Sequence, residues 1–335
     1  LEANTTGHSN VAVGALAADA ITTGHENTAV GFKALTTATT SCGNVAVGMC
    51  SLHNHTTGGD NNAIGMCSQF ATTTGAANNS MGHKSMECNT TGNVNVAIGE
   101  QALRYNTTGC CNSATGYAAL RDNTTGYANT AVGHNAMIAN TTGFHNVSVG
   151  HNSLNTATTG CRNVAIGFMA LNVLNAGGDS YNTAVGYNAA FSSTTVGGEF
   201  VLGNNQVANL RCQDTSISSL SDERDKTNIV DIPLGVDFLK TVRPVSFDWT
   251  RRDGHKAGVK DFGFVAQELK IAADATDYAD HMRLVHDDDP DNLEADPMKM
   301  FPILVKAVQE LSAKNDSLET ANTALAARIK ALEDA

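Results

Sequence analysis

The chain has 335 residues and a formal net charge of −12. Its length allows two or three domains, and its acidity argues against binding nucleic acid or an anionic membrane by bulk electrostatics. No run of eighteen apolar residues appears, so no segment is read as membrane-spanning. The halves differ: residues 1–220 hold 10 acidic and 6 basic side chains and 27 glycines, whereas 221–335 hold 23 acidic and 15 basic side chains and all 5 prolines. The first residues lack the basic and apolar regions of a secretory signal. Residue 1 already lies inside a repeat, so the chain reads as a piece of a longer one.

Glycines at 14, 31, 48, 65, 82, 99, 116, 133, 150 and 167 recur every 17 residues, followed by Gly186 and Gly203 after an insertion at Gly177-Gly178. Four residues before each glycine from Gly14 to Gly186 stands asparagine. Two before stands Ala or Ser, one before usually Val or Ile, and three after Ala or Ser, often followed by Leu. "NVAVG" alternates with period two and ends in a turn residue, which predicts a strand and turn. Two strands and two turns per 17-residue coil are expected, with stacked asparagines forming an amide ladder and small columns implying a thin interior or a neighbouring chain.

Several motifs dissolve in this repeat. Asn4, Asn89, Asn106, Asn123 and Asn140 match the glycosylation sequon, yet Thr-Thr-Gly reads better as a turn. His83, His134 and His151 share the column after the glycine, read as tolerant surface rather than a metal site. The eight cysteines, 42, 50, 67, 88, 110, 111, 161 and 212, lack zinc-ligand spacing and are expected to be small buried hydrophobes with free thiols, as suits a reducing cytoplasm. No metal or cofactor is expected.

The repeat over residues 4–203 resembles the parallel β-roll of trimeric autotransporter adhesin heads and some phage tail fibres. That likeness implies a left-handed, three-chain roll.

The repeat decays after Gly203, and 204–220 reads as a linker ending at "SDERDK". Taken alone, those six residues describe a helix N-cap with a charged first turn. Beyond them come "RPVSFDW" (243–249), "GFVAQEL" (263–269) and "LVKAVQEL" (304–311). This order resembles the C-terminal intramolecular chaperone domain of phage endosialidases, tail spikes and tail fibres, which is also a self-cleaving serine peptidase. The resemblance implies an α+β domain over 221–297, with Ser221 as nucleophile, Lys226 as general base and Asp222 and Arg224 in support. The cut would fall between Leu220 and Ser221. A serine hydroxyl needs a base, and free lysine titrates near 10.4, so the amine must be desolvated to serve. Arg224 is read as a clamp on Asp222 or another local carboxylate. Pro297, where relatives often carry an aromatic, blurs the entry to the last helix.

In 298–335, Leu304, Leu311, Leu318, Leu325 and Leu332 recur every seven residues, with Phe301, Val308, Asn315, Asn322 and Ile329 between them, the pattern of a coiled coil. The acidic stretch His286 to Asp296 lacks the EF-hand pattern and reads as a solvated loop. The fold class is therefore mainly β, then α+β with a helical tail. The implied function is a virion tail fibre or spike that assembles as a homotrimer in the host cytoplasm and binds a cell-surface receptor or glycan, without nucleic acid or membrane insertion. The alternatives are an uncut trimeric adhesin, or a tail enzyme acting on polysaccharide, for which residues 1–203 offer few acids and no Trp.

Overall fold

The computed structural model describes residues 1–172, 180–190, 197–204, 206–207, 221–250, 258–287 and 293–334. The insertion at Gly177-Gly178, Leu220, Cys212, most of the linker and residues 288–292 of the acidic loop lie outside them. The chain divides into two compact units, 1–208 and 209–335.

The first unit is a parallel β-solenoid. Among the described residues, twelve three-residue strands, from Val11–Val13 to Phe200–Leu202, form one sheet in sequence order. The register is one repeat: Val11 pairs with Thr28, and across the insertion Val164 pairs with Thr183. The strand centre, two residues before the glycine, points inward and is buried at every coil from Ala29 to Ala184. Leu35, Leu52, Leu103, Leu120, Leu154 and Leu171 fill the remaining interior, so the core is thin and one large side chain deep.

Each coil holds one strand, not two. After the glycine, non-glycine residues such as Lys33 (φ 56) and Leu35 (φ 52) take left-handed backbone conformations, and the pattern returns coil after coil. Such residues each cost roughly 1–3 kcal/mol unless their surroundings over-determine them. Here the stacking does so: the N–H of Lys33 reaches back to the Ala15 carbonyl at 3.0 Å, and that of Leu35 reaches forward to Ser51 at 2.9 Å. The second leg is thus hydrogen-bonded coil to coil without being a strand. At Gly116 (φ 136) a Cβ would stand 2.4 Å from the Gly133 carbonyl oxygen, which is why the column tolerates no side chain.

The asparagine ladder forms as expected. Asn112 Nδ2 donates to Asn95 Oδ1 at 3.2 Å and to the Gly126 carbonyl at 2.9 Å, while its own Oδ1 accepts from the backbone and side-chain amides of Asn129. The sequon asparagines form a second ladder, Asn106 to Asn89 at 2.8 Å and Asn140 to Asn123 at 2.7 Å. Asn89, Asn106, Asn123 and Asn140 are buried, so the turn reading holds for them; Asn4 is exposed. His55 occupies the same inner column, and burial pushes its imidazole below the usual range. The cysteines depart from expectation. The seven described thiols are free, but none is buried within this chain, because they fall on outward columns and turns. His83, His134 and His151 lie in a half-exposed column where His134 stacks on His151 at 4.9 Å. Among the described residues no group of His, Cys, Asp or Glu is placed to hold a metal.

The second unit is α+β. Helix α1 (Val236–Leu239) precedes a hairpin of Val245–Asp248 with Lys260–Gly263, then α2 (Ala266–Asp274) and α3 (Ala279–Met282). A 3-10 turn, Pro297–Met300, capped by Asp296, leads into α4 (Phe301–Glu333). Pro297 therefore opens the turn rather than breaking the helix. Phe238, Leu269, Met282, Leu284, Met300 and Ile303 form its core. Ile303 and Ala307 face inward, which leaves the heptad stripe outside: Leu311 and Leu318 are each 54% exposed. Of the acidic loop, Asp287 pairs with Lys270 at 2.8 Å. No helix among the described residues is long and apolar enough to cross a membrane.

Asn112→Ala should cost about 2–4 kcal/mol by stranding buried partners on both sides, read as a lower unfolding midpoint, whereas Thr125→Ala, at an exposed turn position, should be nearly silent. As pH falls below about 6.5, the unfolded chain protonates at His55 before the folded one, so stability is lost. His55→Gln should flatten that acid limb, checked by denaturation at stepped pH.

Candidate functional site

The segment Ser221–Lys226 folds on its own side chains. Asp222 sits at the N-cap of a 3-10 turn, Glu223–Asp225, and its Oδ1 accepts the Arg224 backbone N–H at 2.9 Å. The Arg224 guanidinium forks onto the same carboxylate, Nε to Oδ1 at 3.0 Å and Nη2 to Oδ2 at 2.6 Å. These hydrogen bonds hold the Asp222 carboxyl below its usual range and raise the Arg224 guanidinium. The cap reading of the sequence thus applies to Asp222, and it leaves the Ser221 hydroxyl free for another partner.

That partner is Lys226. The turn ends as Lys226 returns to extended backbone, its N–H bonded to the Glu223 carbonyl at 3.0 Å. Its side chain then folds back so that Nζ lies 2.6 Å from Ser221 Oγ and 3.1 Å from the Ser221 carbonyl oxygen. The five-residue spacing of the motif is what one short turn needs to bring a lysine stem onto a serine hydroxyl. Glu223 and Asp225 flank the amine in sequence, yet among the described residues no carboxylate lies within ion-pair distance of Nζ. All six side chains are solvent-exposed within the single chain. The structure therefore brings Ser221 and Lys226 together and ties Asp222 to Arg224; Leu220 lies outside the described residues.

Two further contacts hold the unit that follows. Arg243, from "RPVSFDW", is bidentate on Glu268, from "GFVAQEL", with Nε 2.9 Å from Oε2. Glu310 on α4 accepts the Val236 N–H at 2.9 Å, satisfying the start of α1 across the unit. Gly235 makes this possible, since a Cβ there would stand 2.3 Å from the Glu310 carboxylate. Neither partner of these long-range pairs was legible beforehand, because nothing local in the sequence ties residue 243 to 268 or 235 to 310.

Residues 221–278 match the family model described as chaperone of endosialidase, a family named for peptidase as well as chaperone activity. No curated protein and no solved structure gives a match. The chain thus carries a parallel β-solenoid followed by a segment similar to the chaperone of endosialidase, and Ser221 and Lys226 stand at the first residues of the matched segment.

Gly235→Ala should displace Glu310 and loosen α1 from α4. Amide exchange across Val236–Leu239 should quicken about tenfold or more, while exchange in the solenoid stays unchanged.

Proposed function

We propose that this chain is a segment of a trimeric phage tail fibre or spike, whose C-terminal unit aligns three copies and then cuts itself off between Leu220 and Ser221. The observation that carries the reading is the 2.6 Å contact between Lys226 Nζ and Ser221 Oγ at the start of the matched segment. The neutral amine takes the hydroxyl proton, and Oγ attacks the Leu220 carbonyl carbon. The peptide bond to the Ser221 nitrogen breaks as an ester to Oγ forms, and the freed α-amine takes a proton. Water then hydrolyses that ester, leaving a Leu220 carboxylate and restoring the Ser221 hydroxyl. The second amine contact, to the Ser221 carbonyl, orients Lys226 toward its target. Arg224 supports the dyad indirectly by occupying Asp222, whose charge would otherwise favour the protonated amine.

Exposure of the dyad in the single chain gives assembly its role. Packing of three copies excludes water from Lys226, so that the cut waits for the trimer. Two uncovered apolar surfaces support a partner of the same kind. One is the column before the solenoid glycine, where Val13, Ile64, Ile98, Val132 and Ile166 are exposed and Val30, Val47, Val149 and Val185 are half-buried. The other is the heptad stripe of α4, whose 33 residues run about 50 Å. Identical coils permit pairing out of register by one repeat, and a terminal bundle fixes the common starting point. Removal of that bundle leaves the fibre guarded by its unfolding barrier. The fibre itself serves attachment to a host receptor or glycan.

Purified wild-type chain should run as two pieces on a denaturing gel, with mass spectrometry placing Ser221 at a new N-terminus. Ser221→Ala and Lys226→Ala should slow this at least about a thousandfold while light scattering still finds trimers. Normal cutting in the lysine variant would sink the dyad. Leu311→Asp combined with Leu318→Asp should leave monomeric, uncut chain; a cut monomer would remove the link between assembly and cleavage.

A further inference from the structure

The two columns that precede the strand carry a side-chain cluster that the chaperone reading leaves unused. Tyr127 and Phe144 stack nearly parallel with centroids 4.9 Å apart, and His145 meets both edge-on. On the next coil the Arg162 guanidinium lies over Phe144 at 5.3 Å and over Tyr181 at 5.1 Å, a cation held between two rings. Its Nη1 donates to the Tyr181 hydroxyl at 2.9 Å. Among the described residues of the unit, Lys84 and Arg104 pair with Glu87 and Arg121 pairs with Asp122, while Lys33 lies over the single ring of Phe32; Arg162 alone touches two rings on different coils. Among the described residues Arg162 has no carboxylate partner. An arginine whose rotamers are already fixed by two rings, with N–H donors left toward solvent, is prepared for an anion from outside.

The stack also ends openly. Tyr181 is 61% exposed, and the next position in its column is Gly198, where an added Cβ would meet nothing within 4 Å. Among the described residues, one ring face is therefore covered by Arg162 and the other is left open to a flat apolar ligand surface. We infer that Arg162, Tyr181 and Gly198 form a binding site for an acidic saccharide, in which a pyranose ring lies on the open face of Tyr181 and the carboxylate of an adjoining unit meets Arg162. The apolar column assigned above to contact between copies is the last residue of each strand, whereas this cluster lies two and three residues before the strand. Carboxylate is favoured over a free anion because the site couples a single fixed cation to an aromatic face. The inference rests on the attachment role of the fibre and is independent of self-cleavage.

The test uses the full chain and its Ser221→Ala form, with immobilised oligosaccharides bearing uronic or sialic acids, the same oligosaccharides with their carboxylates reduced to alcohols, and inorganic phosphate as competitor. Wild type should bind the acidic members and lose about tenfold or more in affinity when the carboxylate is reduced. Arg162→Gln should erase that preference, and Tyr181→Ala should weaken acidic and reduced ligands alike. Lys33→Gln, which removes an equal charge elsewhere on the solenoid, should change nothing. Acidic-saccharide binding that survives both Arg162→Gln and Tyr181→Ala overturns this site while leaving attachment to another face. Absence of wild-type binding to every saccharide overturns the site and the glycan reading together. Displacement by phosphate at the same concentration as the acidic saccharide would show an anion site without sugar recognition, and would overturn the assignment of ligand class.

Discussion

The first unit depends on one contact repeated along its axis: a buried asparagine amide that serves the coils on both sides. From Asn27 to Asn146, each Asn in the column four before the glycine accepts from one neighbour, donates to the other and caps a turn carbonyl as well, as Asn112 does with Asn129, Asn95 and Gly126. A core one leucine deep supplies little hydrophobic stabilisation per coil, so polar groups inside it must be satisfied. The ladder meets that requirement only when each coil stands directly over the last. The same geometry excludes a side chain at the stacked glycines and holds non-glycine residues in left-handed turns.

Strict identity between coils has a cost in specificity. A rung that fits its neighbour also fits the neighbour after that, and it fits the same rung of another copy. The solenoid leaves an apolar column uncovered beside its strands, and α4 leaves a leucine stripe uncovered along its length. In sequence, a segment matching a chaperone family lies between these two elements, with a serine and a lysine in contact at its first residues. In the function proposed above these features fit together: repetition makes register ambiguous, and a terminal bundle that is later removed would resolve the ambiguity.

The exposure of Lys226 in the single chain gives that proposal its physical content. In that proposal, assembly rather than local folding excludes water from the amine. What local folding does achieve is removal of the adjacent competitor, because Arg224 takes both oxygens of Asp222.

Much of the solenoid was legible in the sequence because a strict repeat is its own contact map: residues one period apart touch. The asparagine ladder, the buried Ala and Leu columns and the turn asparagines all follow from that spacing. Strand count per coil did not, since alternation of apolar residues cannot distinguish a strand from a chain of left-handed turns bonded to the coils above and below. The cysteines were misplaced for a related reason: their burial depends on which way a turn faces. In the candidate site, motif and spacing named Ser221 and Lys226, but which residue caps the turn, and which partner Arg224 takes, came from the folded backbone. The Arg243–Glu268 and Glu310–Val236 contacts belong wholly to tertiary structure, because each joins positions whose proximity is set by how the chain packs.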